Sequence, residues 1–484
     1  MSSTPPRRVL VIGSGGAGVA AALEASRHGA EVILLESKDQ LGGATSMSGG
    51  IIYAGGTKTQ KEAGVQDTKE ELLAYLSAIC QWTVSPKLLE TTVEGCVDLI
   101  PWLEDLGVVF KPGDLYVAGM EKSPRGHKPS GDTGGRGPAG GAVLINAIVN
   151  AFDEQKVQVH TNTRITGITR STGGGIKVTS ENGGKFHGDS VVFASGGFGA
   201  SVKKLAQYYP DAVKHEGWTR YIGPDSNQGD AIDLALSVGG TVVNENTGGL
   251  DATPNFIQDI DLYMPPWLLY LNLHGRRFIN EMAPYSFGGP TLVAQPESRC
   301  WAVFDTRALT YATDHPLDPD PYGLGFKMRS NWEADTLHKE IASGRIIKAD
   351  SLSELARLTG MPVESVEYTI SKWNQDAVHG KDPEFGKKSS EMMPLDQAPY
   401  YAADVRSHVV GITYAGLKVD EEARLLDQFG RPIPHFYAAG EAVGGLEKSI
   451  YPGGGYSIGV ALLFGRIAGK NAASEGKQHL NGRL

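Results

Sequence analysis

The first forty residues change their hydrophobic period twice. Val9-Leu10-Val11-Ile12 is an unbroken apolar run of strand length, and residues 19–28 then place alanines at helical packing positions. A second apolar run, residues 32–35, follows Gly29-Ala30-Glu31 and stops at Glu36. Two distant stretches repeat an apolar strand that ends on glycine: Val191-Val192-Phe193-Ala194-Ser195-Gly196-Gly197-Phe198 and Phe436-Tyr437-Ala438-Ala439-Gly440-Glu441. After the second apolar run, helical spacing in residues 71–76 and 97–100 predicts helices laid over a sheet. Short alternating runs from 157 to 193 predict a β-meander, and Gly229-Asp230 opens an apolar helix over 231–238. From about 246 to 411 the pattern turns to aromatic- and proline-rich loops with helices such as 363–373. A last helix, 459–473, carries Gly459, Ala461, Gly465 and Ala468, small enough for close packing on the sheet.

The joint between the first strand and helix is Gly13-Ser14-Gly15-Gly16-Ala17-Gly18. The first glycine permits a tight turn, the second lets backbone approach a pyrophosphate, and the third lets the helix lie close to the sheet. A helix N-terminus then faces the anion with unpaired N–H groups and the positive end of its dipole. Glu36, at the end of the second strand, is placed to accept hydrogen bonds from ribose hydroxyls. Immediately after it, Leu41-Gly42-Gly43-Ala44-Thr45-Ser46-Met47-Ser48-Gly49-Gly50 supplies small residues and hydroxyls along which a longer cofactor fits, so flavin is favoured over a nicotinamide. The predicted class is α/β: a discontinuous Rossmann-like FAD-binding domain from residues 1–246 and 412–484, with an inserted α+β substrate (capping) domain over 247–411.

Composition narrows the rest. At 484 residues the chain exceeds what a single core supports. A net charge of -10 without any Lys/Arg run argues against nucleic acid as a partner. Cys80, Cys96 and Cys300 lack the spacing of a disulfide framework or a metal site, so no metal is expected. The short polar start leads directly into the first strand, and no stretch approaches the length of a membrane span. The expectation is a soluble, cytoplasmic protein.

In order and spacing these stretches resemble the flavoprotein family of fumarate reductases, succinate dehydrogenase flavoprotein subunits and 3-ketosteroid dehydrogenases, over nearly the whole chain. The resemblance implies that FAD is held by Gly13, Gly15, Gly16, Ala17 and Gly18, by Glu36 and Ser37, and by Gly43, Ala44, Thr45, Ser48, Gly49 and Gly50. It adds Ile165, Ser195, Gly196, Gly197, Asp230, Ser457 and Ile458, and places Gly440 and Glu441 at the ribityl chain. Covalent members carry a histidine in the turn after the ribose acid; Ala44-Thr45 stands here, which implies a non-covalent flavin.

Three further motifs bear on the reaction. His274-Gly275-Arg276-Arg277-Phe278-Ile279-Asn280-Glu281 looks like the family's GxRFxNE stretch, and it continues Met282-Ala283-Pro284-Tyr285, similar to the NExxPY pattern of ketosteroid dehydrogenases. Thr413-Tyr414-Ala415-Gly416-Leu417 matches a run that fumarate reductases precede with a dicarboxylate-binding histidine. That histidine is missing, and His408 upstream is expected to be a surface or packed strand residue. Tyr451-Pro452-Gly453-Gly454-Gly455-Tyr456-Ser457-Ile458-Gly459 looks like the YPGxGxxIG run of 3-ketosteroid 1-dehydrogenases, in which a tyrosine hydroxyl and a glycine N–H hold the ketone oxygen.

The resemblance therefore implies Tyr285 as proton acceptor, Tyr451 and Gly455 as the oxyanion pair, and Tyr116 as an assisting tyrosine. Ser123-Pro124-Arg125-Gly126-His127 and Gly49-Gly50-Ile51-Ile52-Tyr53 resemble the 3-ketosteroid 4-dehydrogenases, with Tyr53 expected to pack beneath the flavin. The implied reaction introduces a C=C bond beside the carbonyl of a cyclic ketone, foremost a 3-ketosteroid. A small-molecule cyclic ketone or steroid and an external electron acceptor are the expected partners. Three alternatives stay open: the same chemistry on a smaller cyclohexanone-type ketone, fumarate-reductase-like reduction of unsaturated acids, and a flavin-binding protein without turnover.

Overall fold

A computed structural model describes residues 6–117, 120–132, 140–153, 156–170, 175–256, 264–318 and 330–475. Its first sheet joins the two ends of the chain. The strand order is Arg424–Leu426, Pro432–Ala438, Ser190–Phe193, Arg8–Ile12, Glu31–Leu35, Val157–His160, and all neighbours are parallel except the first pair. Val11 pairs with Val192 on one side and Leu34 on the other. Strands this apolar fit a parallel sheet covered on both faces, and Val9, Leu10, Val11, Val191, Val192 and Phe193 are wholly buried.

Helix Gly16–Arg27 leaves the glycine turn and packs on helix Tyr456–Ser474. The two backbones approach so closely that a Cβ on Gly465 would lie 2.3 Å from the Ala17 carbonyl oxygen, and one on Gly469 would lie 2.1 Å from that of Ala21. The alanines and glycines noted in the sequence thus serve contact between backbones. The second helix starts three residues earlier than its apolar spacing suggests, because Gly455 at φ 97° makes the turn into it.

The expected meander is shorter than predicted. Only Ile165–Arg170, Ile176–Ser180 and Lys185–Gly188 form it, while Val157–His160 and Ser190–Phe193 join the parallel sheet. The alternating run 159–165 is broken at Asn162, whose φ of 52° turns the chain between the two sheets. Helices Lys69–Ile79 and Pro86–Glu104 occupy the predicted helical region.

A second sheet is organised around the long strand Tyr400–Thr413, which pairs with Arg220–Tyr221, Gly248–Thr253, Arg299–Asp305 and Ile346–Ala349. Apolar side chains gather into one large core drawn from residues up to Leu250 and from Val410 onward, and two smaller ones drawn from residues 252–405. Among the described residues no helix is long and apolar enough to cross a membrane.

Candidate active site

A cavity of about 1050 Å3 opens at the carboxyl ends of the parallel strands, where ligands of doubly wound sheets bind. Its wall gathers residues that the sequence holds far apart. Gly13 to Ala17, Glu36 to Leu41, Gly43 to Gly50, Ile165, Ser195, Gly196, Asp230, Gly440, Glu441, Ser457 and Ile458 all line it, as do Tyr116, Tyr285, Tyr451 and Gly455.

Gly18 and Gly197 do not line it. A Cβ on Gly18 would lie 1.9 Å from the Gly13 carbonyl oxygen, so this glycine seats the helix against the turn. One on Gly197 would meet Thr413 Oγ1 at 2.3 Å and Glu441 Oε1 at 2.4 Å, so the glycine leaves room for those two wall side chains. Both positions are closely packed.

At the nucleotide end Gly13 adopts φ 98°, and open space lies where Gly15 would carry a Cβ. The Gly16 N–H donates to Thr45 Oγ1 at 3.1 Å, tying the two glycine turns together. The Glu36 carboxylate accepts from the Ser14 N–H (2.9 Å), the Ser14 hydroxyl (2.6 Å), the Ser37 hydroxyl (3.0 Å) and the Lys38 N–H (2.8 Å). These use its four lone-pair positions, so a ribose hydroxyl would replace one of the rotatable serine hydroxyls. Asp230 is held by Arg164 at 2.8 Å, and Ser195 Oγ is buried without a protein partner. Glycine cradle, acid and orphaned hydroxyl fit a dinucleotide.

The lower wall is braced by Glu441. Its Oε1 accepts from the Thr413 N–H and hydroxyl, both at 2.9 Å, and its Oε2 from Asn227 at 3.2 Å, while burial raises its pKa. Gly440 at φ 72° turns the chain so that this carboxyl faces inward.

At the opposite end the rings of Tyr285 and Tyr451 stand 6.5 Å apart, tilted by 47°. Tyr285 is the first residue of helix Tyr285–Val293, beside the positive end of the helix dipole. Tyr451 lies in the loop before helix Tyr456–Ser474, and its hydroxyl oxygen accepts from the Gly455 N–H at 3.2 Å and the Ser457 N–H at 3.4 Å. The implied arrangement had Tyr451 and Gly455 side by side as donors. The structure sets them in series, because the left-handed turn at Gly455 aims its amide back at the phenol. Burial, reinforced by the charge of Glu447, pushes the Tyr451 hydroxyl up to about 12, so it remains a proton donor at neutral pH.

Tyr116 ends strand Val109–Tyr116 with Lys128 Nζ 5.5 Å from its ring centre. Tyr53 is buried away from the cavity, edge-on to Tyr456 at 6.2 Å. His408 is likewise outside the wall, packed edge-on against Trp218 at 5.0 Å, and burial lowers its pKa to about 4.

Sequence reasoning passed over several wall residues. Tyr414 is 2% exposed, and its hydroxyl, like that of Ser286, is buried without a hydrogen-bond partner. Arg220 and Asp251 are both register partners of Val409, on the two strands flanking it, so the wall carries a guanidinium and a carboxylate together there. Glu447 is 8% exposed and accepts from Ser457 Oγ at 2.5 Å. Tyr414 lay within a stretch already aligned to a motif, and Glu447 fell between two of them; no local pattern marked Arg220, which the second sheet brings to the site.

A glycine-cradled dinucleotide site opening onto a pair of phenols defines an FAD-dependent oxidoreductase acting on CH–CH bonds. The family model described as FAD binding domain matches residues 8–458, and the chain belongs to that family. Its cofactor is FAD; among the described residues no histidine or cysteine lines the cavity to attach it covalently. A Shewanella frigidimarina protein named "Probable fumarate reductase" is 30% identical over 478 residues, 96% of this chain and 74% of its own length. The 4-oxocyclohex-2-ene-1-carboxylate 5-dehydrogenase of Sinomonas cyclohexanicum is 25% identical across 98% of this chain and 95% of its own. The 3-ketosteroid Δ4-(5α)-dehydrogenase of Rhodococcus jostii, solved with 4-androstene-3,17-dione, superposes with a TM-score of 0.77 at 26% identity, covering 98% of each chain.

Proposed function

We propose that the enzyme desaturates the C–C bond beside the carbonyl of a cyclic ketone, foremost a 3-ketosteroid, and passes the electrons to an external acceptor. The observation that carries this is the pair of phenols, Tyr285 and Tyr451, 6.5 Å apart in the same cavity as the glycine turns. Tyr451 donates to the ketone oxygen, with its own oxygen steadied by the Gly455 amide, and this acidifies the neighbouring α C–H. Tyr285, assisted by Tyr116, removes that α proton, and the dipole of its helix favours the charge it needs to do so. Bound FAD supplies the acceptor for the β hydrogen, which leaves as hydride. Anaerobic bleaching of the flavin by androstenedione-like or cyclohexanone-type ketones, lost in Tyr285→Phe and Tyr451→Phe proteins that still hold FAD, is the test; bleaching that persists in both variants overturns the assignment.

A second reading, reduction of an unsaturated acid, is favoured by Arg220 in the wall and by sequence relatives that are mostly reductases of such acids. Asp251, register partner of the same Val409, adds a carboxylate to that stretch of wall, which counts against an anionic substrate there. Reoxidation of the reduced protein by fumarate or urocanate, with no response to ketones, would decide for it.

A further inference from the structure

Glu447 is a buried carboxyl that the proposed chemistry does not use. It sits in the loop between Glu441 and Tyr451, 8% exposed on the cavity wall. One carboxyl oxygen accepts from Ser457 Oγ at 2.5 Å, and the other has no hydrogen bond to the described residues. Its backbone carbonyl accepts from Asn244 Nδ2 at 2.9 Å, which fixes the loop, and Lys448 Nζ turns to Asn244 Oδ1 instead of pairing with it. The titratable groups that face it are Glu441, Tyr414, Tyr451, Tyr456 and the Cys80 thiol. None is a cation, and among the described residues no ion pair forms at Glu447.

We propose that Glu447 is a specificity-determining residue that selects substrate charge: ionised, it bars anionic groups from the Tyr451 end of the cavity and leaves that end to neutral carbonyl compounds. The proposal rests on the ketone reading for what Tyr451 binds. Its physical basis is separate. A second carboxylate brought beside one already desolvated, with no cation to share, meets like-charge repulsion in a low-dielectric wall. Repulsion of the wrong ligand gives selectivity without any new contact to the right one. Burial raises the Glu447 pKa, the Ser457 hydrogen bond opposes this and the charge of Glu441 adds to it, leaving the carboxyl at about 7. The bar therefore weakens as the pH falls below that value.

The experiment titrates the FAD-loaded protein with benzamide and benzoate, which share a shape and differ in charge, and reads each affinity from the flavin absorbance. At pH 8 the wild type should prefer benzamide by tenfold or more. That ratio should shrink severalfold at pH 6 and fall to about threefold or less at either pH in Glu447→Gln, while Glu447→Asp keeps the preference. Equal affinities in the wild type at pH 8, or an unchanged ratio in Glu447→Gln, overturn the proposal. If the wild type perturbs with neither ligand, benzoate binding that appears in Glu447→Gln supports it, and silence in both proteins overturns it. The ratio is read whether or not any ketone is turned over, so failure of the ketone reading is seen separately in the bleaching assay.

Discussion

The amide of Gly455 donates to the hydroxyl oxygen of Tyr451 across 3.2 Å, four residues back along the same loop. The acceptor side of the phenol is thereby engaged, and its proton is left to point at a ligand. Removing one donor of this kind costs roughly 10²–10³ in turnover. Tyr451→Phe should therefore lower kcat for a ketone by about that factor while FAD is retained, as steady-state dye reduction on the reconstituted protein would measure.

The same loop is held from outside by Tyr75, whose hydroxyl donates to the Pro452 carbonyl at 2.6 Å beneath the Arg125 guanidinium. Tyr75→Phe leaves that carbonyl without its partner, a local cost of about 1–3 kcal/mol. Turnover should fall severalfold with FAD affinity unchanged. Parallel loss of both in flavin-release titrations would show a wider structural role.

Gly18 marks the closest backbone approach at the nucleotide turn, with an added Cβ 1.9 Å from the Gly13 carbonyl oxygen. Overpacking at such a contact costs about 1–3 kcal/mol, occasionally more. Gly18→Ala should lower the thermal midpoint and release FAD on gel filtration. Gly29→Ala, where nothing lies within 4 Å but φ is +87°, should cost only backbone strain and spare the flavin.

Glu447 links stability to pH. Its folded-state pKa of about 7 lies above the ordinary value of 4.5, so the folded protein holds a proton that the unfolded chain has lost between those values. Its contribution to stability is complete below about 4.5 and disappears as the pH rises through 7, by on the order of 3 kcal/mol. Denaturant unfolding of the wild type minus that of Glu447→Gln should show this fall between about pH 5 and pH 8; a flat difference would contradict it.

Much of the nucleotide end was legible because its signals are local. Gly13, Gly15, Glu36 and Gly440 follow apolar strands directly, and a turn that needs positive φ or close approach demands glycine wherever it falls. Helix Gly16–Arg27 and helix Tyr456–Ser474 could be read from small residues alone, since only those allow such backbone contact. The meander was overextended because an alternating run does not report which sheet a strand joins. Asn162, turning the chain between two sheets, looked like any polar residue.

What the sequence determined by itself was the βαβ turn and the FAD class of cofactor, for which the order and chemistry of local residues were enough. Resemblance to known flavoproteins added the sheet shared by both chain ends and the two tyrosines worth following. Only the tertiary structure decided that Gly455 serves Tyr451 in series, that Gly18 and Gly197 pack without touching the cavity, and that Glu447, Tyr414 and Arg220 join its wall. The Gly455 and Gly18 contacts depend on local backbone direction, the Gly197 contact and the wall residues on packing between distant segments, and electrostatic character is a property of that surrounding and not of the residue type.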